Sequence, residues 1–276
     1  MIGTGWLARR AAPPIDETTT FLKLYSESRR GRSRLREALG PDAIVLVPGL
    51  FTERYPFYLF RIRRHLRRAG VDVRTAPVDT DQTARHNAKA IVRSIREVGK
   101  EGRRCILVGQ SKGPIDAQAA LESEPEAAAD VRALVSLQAP FAGTPLASDA
   151  ARSKAWRALA GFVIGGLFRG TSRAFFDLSY DARSEARSPA ARVKTICLVT
   201  TTARAGPILE RTRRYIERRH GSPSDGFVPP IDAWLPGAAV VHLTGVDHGG
   251  LALPFFRSIF KPEHTIDALL HLAVAD

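Results

Sequence analysis

Cysteine occurs only twice and methionine once among the 276 residues. So few cysteines cannot frame a disulfide-stapled fold, so the stability must come from apolar packing. Cys105 and Cys197 each lie in an apolar run that reads as a strand, and in an alternating β/α order one other strand separates them. At ~4.8 Å per strand their Cα atoms fall roughly 10 Å apart, too far for a disulfide. Two buried free thiols fit a reducing compartment, and neither has the His or basic neighbours of a nucleophilic thiol. No apolar run reaches the roughly 18 residues that a membrane-spanning helix needs. Met1 to Pro14 carries Arg9 and Arg10 without an apolar stretch behind them, so no secretory signal is expected. The expectation from these features is a cytoplasmic location, at a membrane periphery or free of it.

Lysine is scarce too: of 41 basic residues 7 are Lys and 34 Arg, and the net charge is +13. That charge attracts anionic surfaces such as phospholipid, nucleic acid or acidic polymers. The basic residues cluster locally at Arg29–Arg36, Arg61–Arg68 and Arg211–Arg219. Base-stacking aromatics are not interleaved with them, so a solvated basic surface is the reading and no nucleic-acid partner is expected. The segment Phe57–Arg68 has apolar residues on one side and Arg61, Arg63, Arg64, Arg67 and Arg68 elsewhere. A solvated outer face explains it first, and docking on an anionic membrane surface second. The 44% hydrophobic content and the length suit one large, well-buried domain.

Residues 1–40 read as a polar, helix-like N-terminal extension packed on the edge of a domain that spans 41–276. From there apolar β-branched runs alternate with helices. Strands are expected at Ala43–Val47, Val71–Pro77, Cys105–Val108, Val131–Leu137, Val193–Thr200 and Ala238–Leu243. Helices are expected at Pro56–Arg68, Asp81–Val98 with Thr80 as N-cap, Lys112 to about Glu122, Pro207–Arg219 and Pro262–Ala275. Short runs that are continuously apolar suit parallel strands covered on both faces, so the expected fold is α/β, a doubly wound sheet. Residues 147–190 interrupt the rhythm. Trp156, Leu159, Phe162, Ile164, Leu167, Phe168, Phe175 and Phe176 are spaced among glycines there, as in a helical lid or binding loop.

The chemistry centres on Gly109-Gln110-Ser111-Lys112-Gly113, which follows an apolar strand and opens a helix. That context turns a common pattern into a specific one: a sharp turn lifts the Ser hydroxyl clear of the sheet, at the positive end of a helix. A Ser nucleophile needs a base. Of seven histidines, His248 stands just after the last strand, where a parallel sheet delivers functional residues. The acid that orients it should fall between Ser and His in chain order. Asp225 in a turn-rich loop is the choice, Asp232 the runner-up, and Asp247 is too close in sequence to face its neighbour. The oxyanion would be held by the backbone N–H of Lys112 and of Leu50, with Phe51 as the alternative. The Lys112 side chain either makes a surface contact or tunes the field of the site.

With these residues placed, the chain resembles the bacterial triacylglycerol lipases and related esterases of the α/β-hydrolase superfamily, from about Ala43 to Ala275. Val47-Pro-Gly-Leu50, Gly109-Gln-Ser-Lys-Gly-Pro-Ile-Asp116, Pro140-Phe-Ala-Gly-Thr-Pro145 with Asp149, Asp225-Gly-Phe-Val-Pro229 and Asp247-His-Gly249 carry the likeness. The resemblance implies a sheet of the eight-stranded type, reduced or whole, and a lid. It implies Ser111, Asp225 and His248 as triad, Leu50 and Lys112 as oxyanion donors, and Gly143-Thr144-Pro145 as a structural loop. Pro48 and Gln110 stand where such lipases usually have His, which favours ester hydrolysis in general over fat digestion.

The expected reaction is cleavage of a hydrophobic or lipid-like ester through an acyl-enzyme, with no metal or organic cofactor. Phe51, Trp156, Phe162, Leu167 and Phe168 are the candidates for the acyl pocket or lid. Thioester or amide hydrolysis, acyl transfer and polyester depolymerisation use the same triad and stay open. A non-catalytic binding module, or a basic protein that binds membrane or nucleic acid, is the remaining alternative.

Overall fold

The structure, a computed structural model, describes residues 14–50, 52, 55, 57–152, 172–184, 186, 188–189, 192–254 and 256–275. Its strands are β1 (Ile15–Asp16), β2 (Ala43–Val47), β3 (Val73–Thr75), β4 (Cys105–Gln110), β5 (Val131–Leu137), β6 (Lys194–Thr201) and β7 (Ala239–Thr244). They form one sheet in the order β1-β7-β6-β5-β4-β2-β3, and each neighbouring pair runs parallel. The helices are α1 (Thr18–Arg29), α2 (Leu35–Leu39), α3 (Phe60–Arg68), α4 (Ala84–Gly99), α5 (Gly113–Ser123), α6 (Pro145–Arg152), α7 (Ser172–Phe176), α8 (Tyr180–Arg183), α9 (Pro207–His220) and α10 (Pro262–Val274).

The alternation of side chains along each strand divides the core between the two faces. Ile44, Leu46, Ile106 and Val108 pack with Phe21 of α1, Ile62 and Leu66 of α3, and Leu269 of α10. Ala43, Val45, Val47, Cys105 and Leu107 face Ile91 and Ile95 of α4 and Leu121 of α5. Cover on both faces is why the strands read as unbroken apolar runs. Cys105 and Cys197 are free and fully buried, and burial pushes both thiols up to about 12, which leaves them inert. Among the described residues no helix is long and apolar enough to cross a membrane.

Two helices start three or four residues after the expected position. The side chain of Asp79 accepts the N–H of Asp81 at 3.1 Å, and Thr80 is buried in that turn. The turn uses up the residues expected to open α4, and the cap is Thr83, whose hydroxyl accepts the N–H of His86 at 3.3 Å. α3 begins at Phe60, not Pro56, because Leu59 has φ +50° and its N–H goes to the carbonyl of Ala252 at 2.9 Å.

A polar latch joins α1, α3 and α10 on the first face. His65 Nε2 lies 2.7 Å from Asp267 Oδ1, and the Ser28 hydroxyl donates to Asp267 Oδ2 at 2.6 Å. The bond to Asp267 raises the pKa of His65, with burial opposing it. Burial pushes Asp267 up, but the bonds from His65 and Ser28 outweigh it and hold the carboxyl below its usual value. The raised His65 pKa means stability that is complete below the unfolded value and lost as pH rises through the folded one. The thermal midpoint should therefore fall as pH rises past the ordinary histidine value of about 6.5, and His65→Gln should remove part of that slope. An unchanged slope in the variant, measured by calorimetry, would show that the latch does not contribute.

Candidate active site

Ser111 sits where β4 turns into α5, with φ +59°. For a non-glycine residue that conformation costs about 1–3 kcal/mol and persists only where the surroundings impose it. Here the Ser111 N–H is tied to the Leu137 carbonyl at the end of β5, at 2.9 Å. Across the turn, a Cβ on Gly113 would lie 2.1 Å from the carbonyl oxygen of Val47, so only glycine lets α5 start there.

The structure brings Ser111, His248 and Asp225 together although they are far apart in sequence. His248 Nε2 is 2.9 Å from Ser111 Oγ, and His248 Nδ1 is 2.9 Å from Asp225 Oδ2. A carboxylate only accepts, so the Nδ1 proton faces Asp225 and Nε2 is left to accept from the serine hydroxyl. Asp225 also shapes its own turn. Its Oδ1 accepts the N–H groups of Phe227 at 2.9 Å and Val228 at 2.8 Å, so one oxygen fixes the loop while the other meets the imidazole. The backbone joins them as well: the His248 N–H donates to the Asp225 carbonyl at 2.9 Å. The Phe227 ring stacks on the imidazole, 4.8 Å between centroids and 29° between planes.

The other acids have different partners. Asp232 accepts from the Tyr180 hydroxyl at 2.8 Å. The Asp247 carboxylate takes the N–H groups of Gly206 and Arg257, each at 3.0 Å, and burial holds it above its usual pKa. Asp149 ties α6 to α9 by accepting from Tyr215 at 2.5 Å, with His220 Nε2 at 2.8 Å. The Gly143-Thr144-Pro145 loop buttresses the Asp225 turn, because the Thr144 hydroxyl donates to the Phe227 carbonyl at 2.6 Å.

Three residues that sequence reasoning did not assign support this cluster. Gln110 Nε2 donates to the His248 carbonyl at 2.7 Å, and the Tyr58 hydroxyl donates to Gln110 Oε1 at 2.9 Å. Tyr58 in turn accepts the Gly49 N–H at 3.0 Å, and burial pushes its phenol pKa up, keeping the donor proton in place. Gln138, also at positive φ, donates to the Asp247 carbonyl at 2.8 Å. The available signal was position: Gln110 lies inside the turn motif, and Gln138 directly follows a strand end. Tyr58 gave none.

Leu50 follows Gly49, whose backbone lies against the turn so closely that a Cβ would be 2.7 Å from the Gln110 carbonyl. Among the described residues no acceptor meets the Leu50 or Lys112 N–H. The Lys112 side chain makes no surface contact. It is fully buried and ion-paired with Asp116 one helical turn on, and Asn87 Nδ2 donates to the same carboxylate at 2.7 Å. Burial pushes the Asp116 carboxyl up to about 6, against the pull of Lys112. Phe175 of the 147–190 segment meets Phe227 at 6.3 Å and Phe176 at 5.8 Å, so an apolar wall runs up to the imidazole. Leu50, Leu146 and Trp234 pack against the same cluster. Phe51, Trp156, Phe162, Leu167 and Phe168 lie outside the described residues.

Removing one partner of a buried pair strands the other charge. Lys112→Met should therefore cost about 3–5 kcal/mol in urea unfolding, and Lys112→Met/Asp116→Leu should recover most of it. A double variant no more stable than the single one would show that the pair is not the source of the loss.

No protein-family model matches this chain, and no curated protein matches it. Solved structures do. A metagenomic carboxyl esterase is similar over 84% of this chain and 75% of its own, with TM-score 0.70 and 24% identity. A lipase of Bacillus licheniformis in its mature form covers 84% of this chain and 92% of its own, with TM-score 0.67 and 23% identity. Lipase 1 of Pelosinus fermentans covers 83% and 97%, with TM-score 0.57 and 14% identity. Together with the parallel sheet and its two helical layers, these likenesses identify the α/β-hydrolase fold, the one shared with these carboxyl esterases and lipases.

Proposed function

We propose that this chain is a serine hydrolase of carboxylic esters with apolar acyl groups. The observation that carries the reading is the unbroken line from Ser111 Oγ through His248 to Asp225, 2.9 Å at each contact, with the serine raised on a strained turn at the head of a helix. The fold supports the class, since the similar structures include a carboxyl esterase and lipases.

In this reading Ser111 Oγ attacks the ester carbonyl carbon as its proton passes to His248 Nε2. The imidazolium is stabilised by Asp225, which also keeps the ring in the correct tautomer. The N–H groups of Leu50 and Lys112 receive the oxyanion, and one such donor is worth about 10²–10³ in rate. His248 returns the proton to the departing alkoxide and leaves an acyl-serine. Water, deprotonated by the same nitrogen, then releases the acid and restores Ser111. The wall of Phe175, Phe176 and Phe227 supports an apolar acyl group, because it leads directly to the reacting atoms.

Turnover of p-nitrophenyl esters from acetate to palmitate is the test. Ser111→Ala should lower kcat by at least about a thousandfold without changing the thermal midpoint. A fluorophosphonate probe should label the wild type at Ser111 and leave the variant unlabelled. Retained turnover in Ser111→Ala would remove the serine from the mechanism. The aromatic stack has its own check: Phe227→Ala should lower kcat about tenfold or more while KM for the acetate ester changes little, since the ring orients the base. An unchanged kcat would leave Phe227 a packing residue only.

A further inference from the structure

Helix α3 is nine residues long and faces two ways. Ile62 and Leu66 are buried against the sheet, while Phe60, Arg61, Arg64, Arg67 and Arg68 are exposed. Among the described residues only Arg61 of its arginines has an acidic partner, Glu263 at 2.8 Å. Elsewhere many arginines are neutralised: Asp72 and Glu101 meet Arg74 and Arg103, and Glu210 meets Arg213 and Arg214. Among the described residues no carboxylate meets Arg63, Arg64, Arg67 or Arg68, so they form a cationic field on one short helix.

Large apolar groups adjoin that field. Phe57 is 57% exposed and Phe60 37%, and their rings meet edge to face at 6.4 Å. They border a cavity of about 400 Å³ that is also lined by Leu253, Phe256, Phe260 and Lys261. On its other side Phe60 borders a cleft walled by Arg63, Arg64, Arg67 and Arg68. The guanidinium of Arg64 lies 5.9 Å from the centre of the Phe60 ring. Exposed rings and a cavity lined largely by apolar side chains, beside guanidinium groups that no described carboxylate meets, match a layered partner, anionic outside and hydrocarbon within. Long arginine side chains can hold their charges at headgroup level while the rings enter the acyl boundary.

We propose that α3 and the loop residues 250–254 and 256–260 form a docking surface for an anionic phospholipid bilayer. A nucleic-acid duplex, whose bases are already stacked, would use the charge alone and leave the rings and the cavity unused. The same loop begins two residues after His248, and Tyr58 leads directly into α3, so a docked membrane would lie beside the proposed catalytic groups. Only that last consequence rests on the esterase reading; the docking itself does not.

The test is co-sedimentation of the intact chain with vesicles of phosphatidylcholine alone or mixed with phosphatidylglycerol. Binding is expected only with the anionic lipid. Arg64→Gln/Arg67→Gln/Arg68→Gln should weaken partition about a hundredfold, from about fivefold per charge, which corresponds to ~1 kcal/mol each. Phe57→Ala/Phe60→Ala should weaken vesicle binding several-fold and leave retention on heparin unchanged. Both variants should keep the far-ultraviolet circular dichroism of the wild type and its turnover of a soluble acetate ester. Equal binding to neutral and anionic vesicles, or indifference to either set of substitutions, would overturn the proposal. Loss of heparin or duplex DNA binding in the arginine variant, with no vesicle binding by the wild type, would replace the membrane with a nucleic acid. Because sedimentation does not depend on Ser111, a failed esterase assay would leave this result standing.

Discussion

At the crossing of β2, β4 and α5 the chain approaches itself so closely that no side chain fits, and a Cβ on Gly113 would meet the Val47 carbonyl oxygen at 2.1 Å. That contact sets the height at which α5 leaves the sheet, and hence the place of Ser111. The glycine at 49 does the same on the facing loop, where a Cβ would be 3.2 Å from Ser111 Cβ. A methyl group at either point would push strand, loop and helix apart. The strained serine is affordable because the sheet around it is covered on both faces and does not relax.

Strain of this kind is concentrated. Leu59, Ser111 and Gln138 are the non-glycine residues with positive φ among those described, and each belongs to or adjoins one network. Ser111 presents the hydroxyl, Gln138 holds the peptide of Asp247, and Leu59 turns the chain beside Tyr58. Gln110 holds the next peptide, that of His248, so two glutamines from neighbouring strand ends grip consecutive carbonyls. The imidazole is thus fixed by its backbone, by its ring nitrogens and by the face of Phe227. In the proposed reaction, groups held this way would need little rearrangement as charge develops next to them.

The parallel sheet was legible because its strands are short, apolar and β-branched, and Val131–Leu137 was expected with the same limits that the structure gives it. The cluster of Ser111, His248 and Asp225 was legible for a related reason: parallel strands send their ends to one side, so chain order and loop position nearly determine which residues meet. What was not legible depended on contacts across the fold. Nothing local distinguishes Thr80 from Thr83 as a cap until the Asp79 turn is seen. Lys112 looks like a surface residue until Asp116, one turn later, is known to be buried with it. Tyr58 lies in a short aromatic stretch just ahead of the arginine-rich run, and only the fold brings its hydroxyl to Gly49 and Gln110. The resemblance to lipases put the Asp225 loop between Ser111 and His248 in chain order but gave no hint that the same carboxylate shapes the turn.

The sheet ends on both sides in strands that are barely strands. β1 has two residues and β3 has three, and the middle residue of β3 is Arg74, already engaged with Asp72 and Glu101. Open sheet edges normally offer a row of unsatisfied amides to another chain. Here each edge offers too few for a stable ladder, and on one side a charged side chain stands in the way. Among the described residues, brevity at both margins therefore works against strand-on-strand association, the usual hazard of an open sheet edge.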